Sequence, residues 1–246
     1  MRKTEKFVAI LIVALSAWAL VMMAATDWQF KGNIRNRILL VEIGSDAASL
    51  NHAVQTGVRS DPDGIAQNVR LVVRNTYMDF VFIVLYFLTY AGIAYLAGIL
   101  GQRLFASLAV ICVAVAAAAD LLENHAILIA MGVQKFTDPV AVDISEFSQV
   151  KWAFFFLATL FLGLAMALNR RTSSLRRIAG LIFVIAGACG VLGIGRYRVS
   201  VEFAIVFINL GVLLVIVGLL LLLWKLRQSL RELSHVRQIQ AAHAHA

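Results

Sequence analysis

The chain is 246 residues long, and 61% of them are hydrophobic while only 15% are charged. Soluble domains carry roughly 45–50% apolar residues, so an ordinary water-soluble fold is excluded: there is too much apolar side chain to hide from water. The formal net charge is +8, but no aromatic-rich basic surface accompanies it. Nucleic acid is therefore not an expected partner, and the basic residues read as determinants of topology and of contact with anionic lipid.

The apolar residues fall in long runs, and a helix needs about 20 of them to cross a ~30 Å hydrocarbon core. The first run is Phe7 to about Ala25, preceded by the basic start Met1–Lys6. A signal peptide cleaved near Ala24-Ala25-Thr26 has the same outline. The run exceeds the ~7–15-residue core of such a signal, so a retained helix over 1–26 is expected. Residues 27–78 are the one long polar segment and read as a small helical extramembrane cap. It holds an amphipathic stretch at Ile34–Ile43, a helix over Asp46–Thr56 with Ser45 as N-cap, and a turn at Ser60–Gly64. Ile65–Tyr77 then leads into the second span.

Further spans are predicted at 79–100, 104–131, 152–168, 178–195 and 201–224. A longer connector at 132–151 separates the third from the fourth, and residues 225–246 form a basic tail. Pro62 and Pro139 both lie outside the runs, so the helices are uninterrupted. The expected fold is all-α: a bundle of about six transmembrane helices with a five-helix core at 79–224. With a cytoplasmic N-terminus, the inside segments hold 12 Lys and Arg, the short outside connectors 4, and the long 27–78 segment 6. The positive-inside rule then predicts both termini in the cytoplasm.

Ionised side chains inside spans cost roughly 2.5–3.5 kcal/mol each on insertion scales, so those retained are the functional leads. In the third span Asp120, Glu123 and Asn124 stand at i, i+3 and i+4 and share one helix face. Val113, Ala116 and Ala117 continue that face with small residues, which face protein rather than lipid. Asp79, Tyr86 and Tyr90 lie along one side of the second span, and Glu202 and Asn209 along one side of the sixth. These placements predict an outward-facing polar pocket among spans two, three and six, with Asp79, Tyr86, Asp120, Glu123, Asn124, Glu202 and Asn209 as ligand- or cation-binding residues. Arg70, Arg74, Arg196 and Arg198 lie at a similar depth and are the expected charge partners if the cluster is structural ion pairing.

The sequence names no cofactor; a divalent or monovalent cation is compatible with these residues. Asp120, Glu123 and His125 are the metal candidates, being hard or borderline ligands. No His-x3-His pair, nucleophile elbow or phosphate-cradling loop is present. His243 and His245 belong to a solvated tail. Cys112 and Cys189 sit inside apolar runs as small packing residues. In the fifth span Ala186 and Gly190 form a small-xxx-small pair, suited to packing within the bundle or to a second copy or membrane partner.

Glu42 and Ser45, then Tyr77-Met78-Asp79-Phe80 with Tyr86, then Asp120-Leu121-Leu122-Glu123-Asn124, resemble in their order a group of uncharacterised bacterial multi-spanning inner-membrane proteins. The resemblance covers roughly residues 38–131. It implies a bacterial inner membrane and no chemistry. From the residues themselves the leading expectation is a binding or transport-type protein whose ligand is a cation or a lipid head group. The alternatives are a metal-assisted membrane hydrolase or transferase using the same carboxylates, and a structural or accessory subunit. The lack of an internal repeat and of broken helices argues against active transport.

Overall fold

The computed structural model describes residues 2–27, 47–48, 51, 62–133, 136–169, 173–195 and 201–244. Six helices make up the bundle: α1 Arg2–Asp27, α2 Pro62–Ile99, α3 Arg103–Gly132, α4 Asp138–Ala167, α5 Ser174–Gly195 and α6 Val201–Ala244. Each is long and apolar enough to cross a membrane. Their outer surfaces are rich in large apolar side chains, Ile10, Leu104, Ile111, Leu192 and Leu213 among them. Meanwhile Asp120, Glu123 and Lys151 are buried. A soluble protein does not expose apolar surface on that scale, and a lipid belt around a largely apolar bundle holding a few buried polar groups accounts for both facts.

Consecutive helices pack as antiparallel neighbours from α2 to α6, and α1 closes the ring between α2 and α6. α4 is the most connected element, touching α2, α3 and α5 and, marginally, α6. At one end of the bundle, the Gly101 end, α2 stops in a left-handed turn. Gly101 has φ of +107°, its N–H donates to Gly98 O, and Gln102 N–H donates to Ala97 O. This is the reciprocal pattern that satisfies the last carbonyls of a helix. Asn169 Nδ2 donates to Leu100 O, and Arg176 pairs with Glu5 at 3.1 Å, so α1, α2, α4 and α5 are tied together there. The start of α1 and the outward extension of α6 lie at this same end.

At the other end, the Phe136 end, α4 starts earlier than the sequence suggests. The connector expected over 132–151 is helical from Asp138 onward. Thr137 is the extended N-cap residue and Pro139 occupies the first turn, where its missing N–H costs nothing. Asp143 and Glu146 point outward, while Ala141, Ile144, Ser145, Ser148 and Lys151 are buried. That spacing is a helical stripe which averaging over charged residues conceals. Similarly, residues 62–78 belong to α2 and residues 225–244 to α6 as unbroken helix. Of the expected cap, Ile34–Ile43, Ser45 and the turn through Asp61 lie outside the described residues. Ala47, Ala48 and Asn51 are helical. Asn51 pairs through its side-chain amide with both backbone groups of Phe136, and Asp138 accepts from Ala47 N–H.

The small-residue face of α5 is used inside the chain. Ala186 and Gly190 are buried. The Phe156 ring fills the space a Cβ on Gly190 would take, and a Cβ on Gly211 of α6 would come within 2.6 Å of the same ring. Of the two uses expected of Ala186 and Gly190, packing within the bundle is the one the structure shows, against α4 and α6.

Candidate functional site

Two antiparallel hairpins set the height of the site. Asp120 lies 15 residues before the midpoint of the α3–α4 link and Lys151 lies 16 after it, so the two sit at the same level. Asp79 and Asn124 stand 22 and 23 residues on either side of Gly101. From the Gly101 end, Asp120 and Lys151 are about 24–26 Å up their helices at 1.5 Å per residue.

Lys151 is the centre. Its Nζ lies 2.6 Å from Glu123 Oε2 and 3.3 Å from Asp120 Oδ1. The three side chains are 9%, 1% and 5% exposed, so this is an ion cluster with almost no water contact. Charges in such surroundings are retained when paired, and removing one partner is far more costly than at a surface. Tyr86 donates its hydroxyl to Asp120 Oδ2 at 3.2 Å. Beside the cluster, Asn124 Nδ2 donates to Asp79 Oδ2 at 2.8 Å. Ser148, one turn before Lys151 on the same stripe, is fully buried, and its Oγ has no hydrogen-bond partner among the described residues. Trp152 flanks the ammonium, with the ring centroid 5.4 Å from Nζ.

Five of the seven expected binding residues are thus brought together or side by side: Asp79, Tyr86, Asp120, Glu123 and Asn124. The other two are not. Asn209 is exposed on the outer surface of α6, and the Glu202 side chain lies outside the described residues. Spans two, three and six do not form the chamber, because α6 packs on α5 and α1. The third wall is α4, which keeps α6 away from α2 and α3 through its own contacts with both. Among the expected charge partners, Arg70 is exposed and Arg74 is partly buried on α2, while Arg196 and Arg198 lie outside the described residues. His125 is exposed, turned roughly 100° from Asn124 around the helix. Among the described residues, no three His, Cys, Asp or Glu side chains are grouped to hold a metal.

Toward the Phe136 end, Ile127, Ala130, Met131, Phe136, Ala141 and Ile144 form a buried apolar cluster among the described residues, with Val69, Val72 and Val73 packed against it. Toward the Gly101 end lie the aromatic rings of Tyr86, Tyr90, Trp152, Phe155 and Phe156 in mutual contact. Within this layer Tyr90 Oη and Thr159 Oγ1 share a buried hydrogen bond of 2.7 Å.

Lys151 is the residue that sequence reasoning missed. Placing the start of the fourth span at Trp152 left it in a connector. Its equal distance from the α3–α4 link, opposite Asp120, was the available signal. No protein-family model, curated protein or solved structure matches the chain.

Proposed function

We propose that this multi-pass membrane protein binds a small cation at Asp120 and Glu123, and that Lys151 is the tethered cation holding the site when no other is bound. The observation that carries this reading is the position of Lys151 Nζ between the two carboxylates inside the span. Oxygens that a cation needs are already assembled around a positive charge. A lysine ammonium is a compact charge on a flexible stem, so it can withdraw without the backbone moving. The buried Ser148 hydroxyl one turn away, without a partner among the described residues, is a further oxygen for a newcomer. Intramembrane carboxylates and lysines commonly mark ion pathways and proton relays. An inorganic cation and the ammonium head of a lipid offer the same charge to this site.

The test is a melting series in detergent on the wild type, Asp120→Asn and Lys151→Met, with Na⁺, K⁺, Mg²⁺, Ca²⁺ and an alkylammonium. Lys151→Met should melt lower and recover saturably with at least one of these cations, and Asp120→Asn should lose that response. If none of them raises the melting temperature of either the wild type or Lys151→Met, the cation reading falls. Pairing of both carboxylates within one chain also supports a second reading, a structural ion cluster in an accessory subunit.

The orientation proposed has both termini in the cytoplasm, from the 12-to-4 distribution of Lys and Arg. The cluster then lies in the outer half of a membrane, and the resemblance to bacterial inner-membrane proteins favours that membrane. Cysteines placed at Ser173 and Ser60 should be labelled from opposite sides. Labelling of both from one side would overturn this topology.

A further inference from the structure

We propose that the seam between α2 and α4 conducts protons from the Asp120–Lys151–Glu123 cluster to a cleft at the Gly101 end, with Phe155 as the barrier along it. This deepens the cation reading, on which it rests, by naming the proton as the species that leaves the site.

Two hydroxyl groups continue the polar line inward from the cluster. Tyr86 is bonded to Asp120, and Tyr90, one turn further on α2, is bonded to Thr159 of α4. Tyr90 and Thr159 are buried at 1% and 0% exposure, in a region that apolar side chains would fill without cost. Hydroxyls can accept a proton from one neighbour and donate one to the next, so they pass protons. Too few to wrap a metal ion, they do not replace its hydration shell.

Beyond Tyr90 the cleft begins. It is lined by Ile93 and Leu96 of α2 and Leu100 just past it, by Met166 of α4 and Asn169 beyond its end, with Arg176 among its further walls. Ile93 is three residues past Tyr90, about 4.5 Å along the helix. The cleft therefore reaches from the helix ends to within one turn of the hydroxyl pair. Asn169 and Arg176 stand among its walls, but the surface it exposes is apolar throughout.

Two breaks interrupt the line: Phe155 between the tyrosines, and the apolar cleft beyond Tyr90. At the second, a water entering the cleft must take the proton from the hydroxyl pair and carry it out. Phe155 packs against both tyrosines, with ring centroids 5.8 Å from Tyr86 and 5.4 Å from Tyr90. Transfer across it requires one water molecule to enter as Phe155 turns aside. That water takes a proton from one tyrosine hydroxyl and gives one to the other, no bond other than O–H being made or broken. The charged and titratable groups bearing on the route are Asp79, Tyr86 and Tyr90 from α2, with Arg74 nearer the Phe136 end. From α3 they are Asp120 and Glu123, from α4 Lys151, and at the cleft Arg176 of α5 with its partner Glu5 of α1.

The experiment uses the full chain in vesicles with an internal pH dye and a potassium diffusion potential set by valinomycin. The wild type should carry proton flux above protein-free vesicles. Phe155→Ala should raise it at least fivefold, and Tyr90→Phe should lower it at least fivefold without moving the melting temperature by more than about 2 °C. Flux in both wild type and Phe155→Ala no higher than in protein-free vesicles would overturn the proposal, as would wild-type flux in Tyr90→Phe. Failure here with cation-dependent melting of Lys151→Met intact removes the proton seam alone. Tyr90-dependent flux without any cation response in melting removes the site for larger cations and leaves the seam standing.

Discussion

One end of α4 meets its neighbours through charge and the other through close backbone approach. Near the Phe136 end, Lys151 joins α4 to α3 by ion pairs to Asp120 and Glu123. Nearer the Gly101 end, Gly163 lets α4 and α5 touch so closely that a Cβ there would lie 2.7 Å from Gly180 O. Both junctions hold helices together inside lipid, where apolar burial gives helix–helix contact little driving force. The proposed cation site gives the first junction a task beyond cohesion, and comparing how the two junctions respond to substitution tests that assignment.

The charged junction should break hardest. Lys151→Met leaves two carboxylates in a low-dielectric setting without their ammonium, and such a loss costs about 3–5 kcal/mol. Detergent melting should register a larger drop for this change than for any substitution at the glycine junction. Neutralising the whole cluster, Asp120→Asn with Glu123→Gln and Lys151→Met, should recover most of that loss, because replacing a complete buried ion cluster is commonly neutral or stabilising. A triple variant as unstable as Lys151→Met would mean that the cluster's hydrogen bonds, not its charge balance, hold α3 to α4.

The glycine junction should break less, and without any response to cations. Gly163→Ala places a Cβ 2.7 Å from Gly180 O, and overpacking of this kind costs about 1–3 kcal/mol. Its melting curve should shift equally with and without salts. A cation-dependent shift would show that the two junctions are coupled through α4 rather than separate.

How much of this was legible follows the same divide. Helix number and the buried face of α3 can be read directly, because about 20 apolar residues and an i, i+3, i+4 stripe are local signals. The inward turn of Asp120, Glu123 and Asn124 is as the stripe requires. Which helices meet is not local. Glu202 and Asn209 have the same seven-residue spacing as Asp79 and Tyr86, yet Asn209 is exposed on α6. Periodicity gives a face and not the partner that face meets. Lys151 lies between these cases: its depth follows from hairpin symmetry, but hydropathy alone sets it at the membrane edge. The use of Ala186 and Gly190 within the chain depends on Phe156, which is distant in sequence, and no spacing rule gives it.

The smallest expected effect concerns the residue adjacent to the cluster in sequence yet apart from it in space. His125 follows Asn124 directly, but the helical turn of about 100° per residue carries it to the exposed surface of α3. His125→Ala should therefore stay within about 0.5 kcal/mol of wild type in melting, as changes remote from buried features usually do. The cation response should be unaltered too, since Asp120, Glu123 and Lys151 keep every partner. A metal-assisted hydrolase or transferase built on Asp120 and Glu123 would need a third ligand, and His125 is the one the sequence offers. Loss of Zn²⁺-dependent stabilisation in His125→Ala, with the Na⁺ response preserved, would bring that chemistry back and require α3 to rotate when the metal binds. An unchanged response to every cation keeps His125 on the lipid-facing side of the division between what surrounds the cluster and what forms it.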